Sequence, residues 1–120
     1  MKKNILALLV LSSLFVSLLH AAIPERYVRS VEKISENYNS QMRIFLRTLN
    51  PRQTQFSLQQ QQEYCAIVNR YVQDLYQVTN QYRAELPLSY ANMTKESLVQ
   101  QVLMSKEMQI LKKYNIQCNF

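Results

Sequence analysis

Between Phe56 and Leu86 the chain contains no Pro and no Gly, and its apolar residues recur at every third or fourth position. One row reads Cys65, Val68, Val72, Leu75, Thr79, Tyr82 and Leu86. A second row beside it reads Tyr64, Ile67, Tyr71 and Val78. Two adjacent rows at helical spacing make a face wide enough to receive a neighbour on either side. The pattern predicts a long central helix near 55–86, with the rest of the chain folded against it.

The flanking segments carry the same period. Upstream, Tyr27, Val31, Ile34, Tyr38, Met42, Phe45 and Leu49 form one apolar row, opposite a polar face that includes Arg29, Lys33, Glu36 and Arg47. A helix over 25–49 is expected, with Pro24 at its entrance, where a missing N–H costs nothing. Asn50-Pro51 ends it, because the residue before Pro is steered out of the α region. Thr54 or Ser57 then caps the central helix, and Ser57 with Gln60 fits a capping box. Pro87 closes that helix. The segment 87–93 reads as the one sizeable loop, and Asn92-Met93-Thr94 within it matches a glycosylation sequon that we take as a chance match. A third helix is expected over 94–114, with Leu98, Val99, Val102, Leu103, Ile110 and Leu111 inward and Met104 and Met108 alongside. Short connections favour antiparallel neighbours. The fold class is therefore all-α: a small up-down-up three-helix bundle around a long central helix.

Residues 1–22 read as an export signal and 23–120 as a single helical domain. Lys2 and Lys3 precede the apolar run Ile5 to Leu19, and Ala21 and Ala22 supply small residues for cleavage after either one. The run is short for a membrane span and carries three serines, which disfavours the rival reading of an uncleaved anchor. A periplasmic or secreted protein with no stable membrane insertion after cleavage is expected.

Composition sharpens this picture. The chain has no Gly at all, whereas tight hairpins usually need Gly at positive-φ turns; long helices and few turns suit it better. The formal net charge is +6, and loss of Lys2 and Lys3 leaves 12 basic against 8 acidic residues. That balance is mildly basic and does not announce nucleic acid, which export makes a less natural partner still.

Cys65 and Cys118 are the only cysteines, and an even count in an exported chain predicts that they pair. Register supports the pairing. If the third helix runs back along the central one from the turn at 87–93, Leu86 lies level with Thr94, and Cys65 then lies level with Asn115, only three positions short of Cys118. No Cys-x-x-Cys spacing exists, and the only histidine, His20, lies in the signal. Redox and metal roles for the cysteines are therefore poorly supported.

Catalysis is poorly supplied. The mature chain lacks the commonest general base and metal ligand, and its carboxylates are scattered. No catalytic residue, metal or cofactor is expected. Eight tyrosines are present, several on core-facing rows, where a ring can be buried with its hydroxyl at the boundary. Tyr76 and Tyr90 look surplus to the core and are candidates for a protein-binding surface, where Tyr is enriched. In the antiparallel layout Arg43, Arg47, Arg52, Lys112 and Lys113 gather at one end. Most of them complement helix dipoles; together they also form a candidate docking site for an acidic protein face or an envelope phosphate. The sequence thus suggests an exported, non-catalytic protein-binding domain, such as an inhibitor or immunity factor against an envelope-acting enzyme. The alternative is a periplasmic chaperone or envelope stress factor. Acid-stress chaperones and secretion-system immunity proteins are similar in size and class, though no motif is shared with them.

Overall fold

The computed structural model describes residues 23–120, so the signal-peptide expectation for residues 1–22 lies outside the described residues. Helix α1 spans Glu25–Arg47 and enters through Pro24, whose carbonyl accepts from the Val28 N–H at 3.2 Å. It stops two residues before the end expected from Asn50-Pro51. Both the hydroxyl and the backbone N–H of Thr48 turn back to the Phe45 carbonyl, at 2.6 and 2.9 Å, and close the last turn early. The connection over 48–57 is consequently longer than the pattern suggested.

The central helix α2 spans Leu58–Tyr82. Ser57, not Thr54, is its N-cap. The Ser57 hydroxyl accepts from the Gln60 N–H at 3.1 Å, and the Gln60 side chain accepts from the Ser57 N–H at 2.9 Å, so two orphan donors are satisfied reciprocally. A 3-10 turn over Arg83–Glu85 continues it, and Leu86 is extended before Pro87. The expected loop after Pro87 holds one helical turn, α3, over Leu88–Ala91. Arg83 clips it down by donating to the carbonyls of Ala91 and Met93, the latter at 3.1 Å, and to the Asn80 side chain.

The third helix forms in two pieces, which the apolar pattern did not show. Helix α4 spans Lys95–Leu103 and α5 spans Lys106–Leu111. Thr94 caps α4 in a reciprocal box with Ser97. Ser105 then caps afresh, its hydroxyl accepting from the Met108 N–H at 3.4 Å. Ser is a poor helix-interior residue and a good cap, and here the local preference wins. Met104, expected alongside the core, is left at the break and is 71% exposed. A 3-10 turn over Lys112–Tyr114 ends at Asn115, whose φ of 56° is the left-handed conformation that commonly closes a helix. With no Gly in the chain, Asn fills that place, as the non-Gly residue that tolerates it best.

Helix α1 packs along α2, and α4 packs along α2 as well, giving the expected all-α bundle with α2 as its common partner. Val72, midway along α2, is 0% exposed. The main core joins Tyr38, Met42 and Phe45 of α1 to Tyr64, Val68 and Val72 of α2, with Leu98, Val102, Met108 and Leu111 on the other flank. The Tyr38 and Tyr71 rings stack at 4.2 Å across α1 and α2. A smaller core at the opposite end gathers Tyr27, Val78 and Leu86. There the Thr79 hydroxyl donates to the Leu75 carbonyl at 2.7 Å, so the Tyr27 hydroxyl, 3.2 Å away, donates to Thr79. This chain of bonds is why a threonine fits the inward row while only 1% exposed.

Candidate functional site

The end of the bundle that holds the first connection is built around Phe56. Its ring meets Phe45 of α1 at 5.5 Å, Tyr64 of α2 at 5.8 Å and Tyr114 of the C-terminal turn at 5.0 Å. The end of α1, the start of α2 and the C-terminal turn, which is distant in sequence, are thereby tied to one end. Asn50 and Gln53 hold the connection itself: the Asn50 side chain accepts from the Arg52 N–H at 3.0 Å, and Gln53 accepts from the Asn50 N–H at 2.9 Å. The cations singled out from the sequence lie on α1, on the connection that carries Phe56 and on the C-terminal turn. Arg43 and Arg47 lie on the last turns of α1, Arg52 in the connection, and Lys112 and Lys113 beside Tyr114; all five are exposed. The Lys113 ammonium sits 5.1 Å from the Tyr114 ring centroid. Among the described residues the ion pair present, Arg29 with Glu25, lies at the opposite end.

The two tyrosines considered as surface candidates do not lie with these cations. Tyr76 is half-buried and packs against the main core, beside a shallow depression that also includes Asn80, Arg83 and Met93. Tyr90 is exposed on α3, with Leu88, at the far end of the molecule from Phe56.

Cys65 and Cys118 are joined, with their Cα atoms 5.5 Å apart. The bridge fastens the non-helical tail after Asn115 to the first half of α2, and the Gln61 amide adds a bond to the Gln117 carbonyl at 2.9 Å. Such a pair is compatible with an oxidising, exported location. Because the tail is held there, it walls one side of a groove that sequence reasoning did not find. Tyr64 and Val68 of α2, Met104 and Met108 from either side of the α4–α5 break, and Ile116 and Phe120 of the tail line it; its volume is about 390 Å³. A sequence signal existed in Ser105, a residue type that caps a helix better than it continues one, but the apolar period masked it.

Tyr64 links the groove to the basic end. Its hydroxyl donates to the Met108 sulfur, and burial pushes its pKa up to about 12 from 10. A phenol that holds its proton more tightly when folded contributes stability that is complete below pH 10 and is lost as pH rises towards 12. The urea midpoint should therefore fall over that interval, and Tyr64→Phe should flatten this part of the decline. An identical alkaline profile in the variant would remove Tyr64 as the cause.

Among the described residues no three His, Cys, Asp or Glu side chains come together as metal ligands, and no helix is long and apolar enough to cross a membrane. No protein-family model matches the chain, and no curated protein or solved structure shows a significant match to it.

Proposed function

We propose that the chain is an exported, non-catalytic protein-binding domain that captures a partner through an acidic face, as an inhibitor or immunity factor against an envelope-acting enzyme. The observation that carries this reading is the convergence of Arg43, Arg47, Arg52, Lys112 and Lys113, from three segments, on the end organised by Phe56. The contacts of Phe56 with Phe45 and Tyr114 hold the segments that carry the cations at one end of the fold. Long-range attraction of this kind acts mainly on the association rate and is screened over roughly 8 Å at physiological salt.

Arg47→Glu combined with Lys113→Glu should slow capture severalfold at low salt. Because both residues are exposed, the folded state loses only dipole complementation, about 0.3–1 kcal/mol per site, and the contact of Lys113 with the Tyr114 ring, about 0.5–1 kcal/mol. Pull-downs from envelope extract at low and high salt, with thermal melts of both proteins, check this. Equal recovery of every partner by the variant at low salt would reduce the cluster to helix capping.

A further inference from the structure

The groove between α2, the α4–α5 break and the disulfide-held tail has a chemistry different from that of the basic end. Val68, Leu103, Met104, Met108, Leu111 and Phe120 make it apolar along its length. Its volume, about 390 Å³, falls in the range of small-molecule sites. The methionines are unbranched and flexible, and adapt to an irregular occupant. Lys112 is the one charged side chain among the described residues that line it, and the neutral polar groups are the amides of Gln100 and Gln117. The Tyr64 hydroxyl is already turned to the Met108 sulfur, so an apolar occupant would leave no new donor unpaired there. A peptide would need partners for a repeating series of backbone N–H and C=O groups, which two amides do not supply. An alkyl chain needs none.

We propose that this groove binds a single acyl chain ending in a carboxylate, an amphiphile of the fatty-acid class, with the chain over Met104 and Met108 and the carboxylate at Lys112. The tail, fixed by Cys118, closes one side over the chain. The groove shares Lys112 with the basic end, but Arg47 and Lys113, the residues changed to test docking, do not line it, so either reading can fail without the other.

Calorimetric titration of the disulfide-intact protein with dodecanoate, kept below its micelle concentration, tests the proposal. Saturable one-site binding is expected, with dodecyltrimethylammonium binding more weakly. Lys112→Gln should weaken dodecanoate by roughly two- to fivefold, the scale of an exposed ion pair, and abolish the preference for the anion. Met104→Asp, at an exposed position that circular dichroism can verify as folded, should weaken it by about tenfold or more. Arg29→Gln, at the other end, should leave it unchanged. Absence of saturable binding by folded protein, equal affinity for the cationic chain, or full affinity in Met104→Asp would overturn the assignment. So would tighter binding of a short apolar peptide with a free carboxylate than of dodecanoate.

Discussion

Cys118→Ser should lower the melting temperature by on the order of 20 °C, a loss comparable to that from emptying the core. The bridge spans a sequence separation of 53 residues, and removing so long a closed loop from the unfolded ensemble corresponds to about 4 kcal/mol. Small domains have only about 5–15 kcal/mol in total. The remaining attachments of the tail are slight: one Gln61 bond, and half-buried Ile116 beside Cys118. Loss of the bridge should therefore free 115–120 before anything else, while the α1–α2 core around Val72 stays helical. Melts with and without reductant, alongside intact mass, measure this. Equal melting temperatures for oxidised and reduced protein would show that the core alone sets the stability.

The pairing was legible in the sequence because antiparallel helices keep register by residue count, and that count brought Cys65 level with Asn115. The inward rows were legible for the same reason. Tyr64, Val68, Val72, Val78 and Thr79 are all buried, as their spacing required, whereas Leu86 is buried from extended backbone beyond the end of α2, short of the helix end expected at 86. Where the reading stopped short, a cap competed with a period. Thr48 closed α1 early, and Ser105 divided the third helix, because a side-chain bond to one backbone group is a local event that an apolar repeat does not encode. The exposed position of Met104, and with it the groove, follows from that division. The five cations were assigned to one end from topology alone. Their common anchor was not legible, since Phe56 sits in a connection with no period and meets Tyr114 only after the whole chain has folded.

Phe45→Ala should cost about 3–5 kcal/mol, the range for deleting a buried phenyl ring. Phe45 is buried and lies against both Phe56, at 5.5 Å, and Tyr64, at 5.9 Å. Its loss removes its own apolar area and opens a cavity beneath the first connection, which has few other anchors. Phe56 then loses one of the three rings that fix it, and the segments that carry the cations at 47, 52, 112 and 113 lose one of the contacts that hold them at one end. Phe45→Leu refills part of the volume and should fall between wild type and Ala in urea midpoint, because the penalty grows with the residual cavity. Val28→Ala, on the exposed side of α1, should stay within about 0.5 kcal/mol of wild type and serves as the reference. The order of midpoints therefore reports packing at this one end, separately from helix propensity, in which Ala is the better residue. If Phe45→Ala unfolded within 1 kcal/mol of wild type, the aromatic cluster would not be what holds the basic end together, and the grouping behind the docking proposal would have to come from elsewhere in the fold.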